Sequence, residues 1–119
     1  MAKLNIAVVG LRFGRTWMNG FRRHPHCRLT CLCDSNAAAL EKGKAESGAE
    51  TAASRLEDVL NDRHVDAVAL FTPAPLHAEQ SVAALRAGKH VLSAVPAAVT
   101  EKGCRDVVVA AKESGRVYM

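Results

Sequence analysis

The sequence is notable first for what is scarce. No apolar run approaches the roughly 20 residues that span a bilayer, and Met1-Ala2-Lys3-Leu4 lacks the apolar stretch of a signal peptide. Those absences point to a soluble, cytoplasmic chain with no membrane partner. Aromatic residues number five in 119 (three Phe, one Trp, one Tyr), and they are not interleaved with basic residues as in nucleic-acid-binding motifs. Nucleic acid is therefore not expected as a partner. Four cysteines are present, but Cys27, Cys31 and Cys33, near His24 and His26, match no paired zinc-knuckle spacing. Cys31 and Cys33 alternate along an expected strand, which buries them as small hydrophobes. Neither a metal site nor a disulfide is expected.

Acidic residues are missing from the first third. None precedes Asp34, whereas Lys3, Arg12, Arg15, Arg22, Arg23 and Arg28 all do, within an overall net charge of +4. Such a bias fits an anionic ligand near the N-terminus. What the chain has in quantity is small apolar residues: 49% of it is hydrophobic, mostly alanine and valine. That composition suits a sheet packed by helices. The length allows one domain with a real core but is short for a complete enzyme.

Strand and helix signals alternate. Lys3 to Val9 is a nearly continuous apolar run ending in glycine, the pattern of a buried parallel strand. Phe13 to Arg23 reads as a helix stopped by Pro25. Arg28 to Cys33 reads as a second strand, and Asp34-Ser35-Asn36 as the cap of a helix running to about Glu46. Glu50 to Ala52 is a short third strand, and Ser54-Arg55-Leu56-Glu57 has the capping-box pattern of a helix reaching about Asn61. Asp66 to Phe71 is a buried strand. A helix from about Leu76 ends at Gly88, His90 to Ser93 is a strand, Thr100 caps a helix ending before Gly115, and Arg116 to Met119 begins one more strand. This order predicts a doubly wound, mostly parallel α/β sheet with right-handed crossovers. Ligands in such a sheet lie at the carboxyl ends of the strands, here after Val9, Cys33 and Phe71.

The turn after the first strand reads Gly10-Leu11-Arg12-Phe13-Gly14-Arg15. Gly10 permits the tight turn, and the following helix aims its amides and positive dipole end at the crevice. Asp34 stands twenty residues beyond Gly14, where a dinucleotide fold keeps the acid that accepts from adenosine ribose hydroxyls. Arg12 occupies the place of the middle glycine, which normally lets backbone approach a pyrophosphate. Three roles are open to it: a guanidinium beside a phosphate, a side chain extended into solvent, or an obstruction that weakens binding. Asp34 repels a 2′-phosphate and favours NAD, while Arg12 curled toward the ribose would admit NADP; NAD is favoured slightly.

Further along, the stretch from Asp66 to Leu92 reads DAVALFTPAPLHAEQSVAALRAGKHVL. Its Asp-x-Val, Thr-Pro-x-x-x-His and Ala-Leu-x-x-Gly-Lys-His-Val pieces, in this order, resemble the N-terminal Rossmann domain of the Gfo/Idh/MocA oxidoreductases, over essentially the whole chain. The resemblance implies NAD or NADP as cofactor and a sugar-like or other polyol or carbonyl substrate. It also implies a second α/β domain that supplies the substrate pocket and often a homo-oligomer interface. That domain is absent from these 119 residues, so no turnover is expected from them alone. Thr72 and Pro73 would line the cofactor crevice, with Pro96 nearby. His77, in the first turn of the next helix, would either touch the cofactor or cap and pack. The candidate cofactor set is thus Gly10, Arg12, Phe13, Gly14, Asp34, Ser35, Thr72, Pro73, His77 and Pro96.

One departure stands out. Where the family usually has Glu-Lys-Pro, with its lysine near the nicotinamide, this chain has Ser93-Ala94-Val95-Pro96. Val95 can neither donate a proton nor carry charge. Either such a branch uses other groups, His77 being a weak candidate, or it has lost hydride chemistry. Two alternatives follow: a non-catalytic nucleotide-sensing or scaffold module, and an enzyme similar to thiazolinyl imine reductases.

Overall fold

The computed structural model describes residues 2–119. Its centre is β1 (Leu4–Val9), whose Ala7 and Val8 are fully covered. Strand β1 pairs in parallel with β2 (Cys27–Cys33) on one side and with β4 (Ala67–Leu70) on the other. Outside them lie β3 (Thr51–Ala53) and β5 (His90–Ser93), also parallel, giving the order β3-β2-β1-β4-β5. Strands buried on both faces need apolar residues at every position, and for that reason the sequence shows runs rather than alternation.

Helices cover both faces. Leu11 and Met18 of α1 (Leu11–Arg23) pack with Ile6, Val8, Leu29 and Leu32 on one side. Helix α2 (Ala37–Ser47) lies beside α1. The other face packs Ala7, Val9, Cys31 and Cys33 against Val59 of α3 (Leu56–Leu60), Ala84 and Leu85 of α4 (His77–Arg86), and Ala110 of α5 (Glu101–Ser114). A bulge in β2 sorts these residues. Ile6 pairs with Leu29 but Ala7 with Cys31, so Thr30 is an extra residue, and Leu29 and Leu32 therefore share a face despite their odd spacing.

The lower, amino-terminal rim of the sheet is stapled. Asp66 accepts a hydrogen bond from the Asn5 amide at 2.8 Å. The buried Lys89 ammonium donates to the Asp62 and Val65 carbonyls at 2.7 and 2.8 Å. The upper rim carries the strand-to-helix turns.

Several boundaries differ from the sequence expectation. Helix α1 begins at Leu11, not Phe13, since the turn is completed by Gly10 alone. Strand β3 lies one residue later than expected. The capping box at Ser54 does not form: Arg55 is the cap, without a side-chain bond, because the helix starts at Leu56 and shifts Ser54 out of register. Thr100 caps α5 as expected, accepting from the Gly103 amide at 3.0 Å. Arg116 to Met119 forms a single parallel bridge, Val91 to Tyr118, rather than a full strand.

Candidate functional site

The sheet changes direction of winding between β1 and β4, and there a crevice opens at its upper rim. Gly10 makes the opening. Its φ of +89° lies in the region that disfavours a side chain, and a Cβ there would stand 2.7 Å from the Phe71 carbonyl carbon. Backbone of the β1 turn thus rests directly against backbone leaving β4. Gly14, one turn on, is equally tight: its missing Cβ would meet Val8 at 2.8 Å, so α1 lies close on the strand.

Gly10 has no side chain with which to cap α1. The cap comes from another strand: Asp34, just past β2, accepts from the Leu11 amide at 2.8 Å and from the Asn36 amide at 2.8 Å. A carboxylate at a helix N-terminus is favoured by the unpaired amides and the dipole. Asp34 therefore fixes two turns in relation to each other. Its two oxygens offer about four acceptor sites, so it keeps capacity for further donors. The α2 cap itself is Asn36, which accepts from Ala39 at 3.0 Å.

A cleft of about 920 Å³ lies over these turns. Asp34, Ser35 and Ser54 border one end, Gly10, Arg12 and Phe13 the middle, and Thr72, Pro73 and Gln80 the other end. Of the ten residues proposed from sequence, seven line it. Arg12 reaches it with no ion-pair partner among the described residues. Arg15 turns away and forms a two-point pair with Glu46 of α2, at 2.8 and 3.1 Å. Gly14 acts behind the cleft by packing α1 against the sheet.

His77 and Pro96 stand elsewhere than expected. His77 is 2% exposed and lies behind the cleft wall, its Nε2 2.6 Å from the Thr72 carbonyl oxygen and its Nδ1 2.7 Å from that of Pro96. Direct contact between His77 and a ligand in the cleft is therefore corrected to a role behind it; the ring is enclosed because α4 begins at His77 and faces it inward. Pro96 also lies off the cleft lining and contributes its carbonyl to His77. The Val95–Pro96 peptide is cis, and Val95 is 90% exposed.

Seven lining residues were missed: Val9, Cys33, Ser54, Leu56, Phe71, Leu76 and Gln80. Gln80 was findable, since it follows His77 by three positions and so shares its side of a helix. The Thr72 hydroxyl donates to its Oε1 at 2.5 Å. Leu56 gave no local signal.

Three of the five aromatic residues cluster beside the cleft. Phe71 lies 5.8 Å from Trp17 in a stacked arrangement and 5.7 Å from Phe13, with Phe13 and Trp17 each about half exposed. Cys33 also lines the cleft, but burial, with the neighbouring Cys31 and Asp34 adding to it, pushes its thiol up to about 12. At neutral pH it is a thiol and not a nucleophile. Among the described residues no group of three His, Cys, Asp or Glu side chains is placed to hold a metal, and no helix is long and apolar enough to cross a membrane.

The cleft thus offers an acid at one end, free amides on Arg12 and Phe13 at a helix N-terminus, a cation, and a neutral hydrogen-bonding end. Acid, anion cradle and neutral end in a row suit a ligand with a hydroxylated head, a charged middle and a polar tail.

Comparison with known proteins agrees with that arrangement. Residues 4–119 match the model of an oxidoreductase family with an NAD-binding Rossmann fold, GFO_IDH_MocA. A 1,5-anhydro-D-fructose reductase of Ensifer adhaerens is 39% identical over 106 residues, which cover 87% of this chain and 31% of that protein. The WlbA dehydrogenase of Bordetella pertussis, solved with NADH and UDP-GlcNAcA, superposes with a TM-score of 0.91 at 31% identity, over 98% of this chain and 36% of that one. A scyllo-inositol dehydrogenase of Lactobacillus casei, solved with NAD(H) and scyllo-inositol, gives 0.91 at 25% identity, over 98% and 35% respectively. This chain spans about a third of the length of the relatives it matches.

Proposed function

Since the chain belongs to the Gfo/Idh/MocA oxidoreductases and is an NAD-binding Rossmann domain of that family, we propose that it binds NAD in the cleft between β1 and β4 and orients it for hydride transfer to or from a sugar-like polyol or carbonyl substrate. The observation that carries this reading is the Gly10 approach. Backbone rather than side chain faces the cleft at the switch point, leaving the Arg12 and Phe13 amides for a pyrophosphate.

Asp34 would accept from the adenosine ribose hydroxyls while keeping its bond to Leu11. Its charge disfavours a 2′-phosphate, and NAD rather than NADP is the cofactor we assign. Ser35 and Ser54 give that end further polar groups. Thr72, Pro73 and Gln80 would face the nicotinamide half. When bound, NAD supplies the hydride acceptor and NADH the donor, while the protein supplies binding and orientation. Turnover requires groups beyond these residues: Val95 stands where a proton-transferring side chain is usual, and nothing in this cleft replaces it. Calorimetric titration with NAD, NADP and their reduced forms tests the assignment. Micromolar binding of NAD, tighter than NADP, is expected; no binding of either would refute it.

Val95 favours a second reading, in which the domain senses dinucleotide without reacting it. A protein joining this domain to its substrate-binding part would then bind NAD yet reduce no sugar, polyol or thiazolinyl imine in a panel assay.

A further inference from the structure

We propose that His77 is a positioning residue that holds the nicotinamide end of the cleft by tying two separate turns together, an inference that rests on the dinucleotide reading above. The turn after β4 contributes the Thr72 carbonyl and the turn after β5 the Pro96 carbonyl, and the two oxygens lie on opposite nitrogens of one buried ring. Among the described residues no other side chain hydrogen-bonds both turns. The remaining direct link is the backbone bond from the Ala94 amide to the Leu70 carbonyl, one layer lower.

The chemistry is constrained. A carbonyl oxygen only accepts, so each ring nitrogen must donate; a ring with one N–H serves one turn, and a ring with two serves both. With both bonds made, the Thr72 carbonyl is fixed from behind. The Thr72 hydroxyl in turn donates to Gln80 Oε1, which leaves the Gln80 amide hydrogens for the cleft. Histidine thus sets the wall, the wall sets the glutamine, and a ligand meets only the last of these. The Asp34 end is held independently by its bonds to Leu11 and Asn36.

That independence provides the test. ADP needs only the Asp34 end and the glycine turn, whereas NAD also needs the Thr72 end. Titrating wild type, His77→Ala and His77→Gln with both ligands should raise the Kd for NAD at least tenfold in the alanine variant and leave that for ADP within twofold. Glutamine, able to serve one carbonyl, should fall between. Equal weakening of ADP and NAD, or none, overturns the brace. A wild type that binds neither ligand instead overturns the dinucleotide reading. Ring-nitrogen NMR of 15N-histidine-labelled wild type requires no variant to fold: an exchange-protected ring N–H of His77 whose shift responds to NAD but not to ADP is expected, and a ring N–H that exchanges freely, or responds equally to both, overturns the proposal.

Discussion

The Asp34 carboxylate accepts from the Leu11 amide at 2.8 Å across 23 positions of sequence, so the acid of the cleft is also the cap of its first helix. Affinity and stability are therefore linked at this residue. Asp34→Ala should cost about 1–2 kcal/mol in denaturant melts, the range for a lost helix cap, and should weaken NAD binding at least tenfold. Asp34→Asn keeps an acceptor oxygen for Leu11 and should recover most of the stability but little of the affinity. An asparagine variant with wild-type affinity for NAD would show that the charge is not used.

Gly10 and Gly48 both have positive φ, +89° and +69°, but only Gly10 is crowded. Gly48→Ala meets open space and should cost about 1–2 kcal/mol for the backbone conformation alone. Gly10→Ala adds a Cβ 2.7 Å from main chain that cannot rotate away. Strain and overpacking together put its cost at about 2–6 kcal/mol, with NAD binding lost because the cradle must open. Thermal melts of the pair, with calorimetry on the folded fraction, check both statements.

Arg12 faces the cleft without an ion-pair partner among the described residues, so its charge is free to meet a phosphate. Arg12→Ala should weaken ADP and NAD alike, by about fivefold at low salt, and by less at 1 M salt, where the Debye length is about 3 Å. Titrations at two ionic strengths measure this. Tighter binding by the alanine variant would mark the arginine as an obstruction.

Cys33 gives an alkaline signature. Its thiol ionises ordinarily near 9.0 but is pushed to about 12 in the folded chain, so above pH 9 the unfolded chain releases a proton that the folded one keeps. Stability contributed by this group is complete below pH 9 and falls between 9 and 12, by at most about 1.4 kcal/mol per pH unit. Cys33→Ala should lower stability at pH 7 through a small cavity yet lose less between pH 9 and 10.5 than wild type does. Parallel stability-against-pH curves would contradict the assigned burial effect.

The central strands and the doubly wound class were legible in the sequence because each central strand is buried on two faces and so appears as an unbroken apolar run. Asp34 was legible too, through its spacing from the glycine turn. Less legible were features set by distant contacts. That α1 starts at Leu11 depends on a cap delivered from β2, and no local window contains both. That His77 lies behind the cleft wall depends on the Pro96 carbonyl, nineteen residues away. Ser54 resembled a helix cap locally, yet α3 starts one residue too late for that role and the residue faces the cleft instead.

Lys89 and Asp66 staple the rim of the sheet opposite the cleft, and the ammonium there is held by carbonyls alone. The two ends of the domain therefore answer to different demands. Amides at the stapled rim should exchange with deuterium slowly and indifferently to ligand, while those of the β1 and β4 turns should slow only when a ligand arrives. An engineer seeking a hardier protein would work at the first rim, and one seeking a different ligand at the second, with little interference between the two.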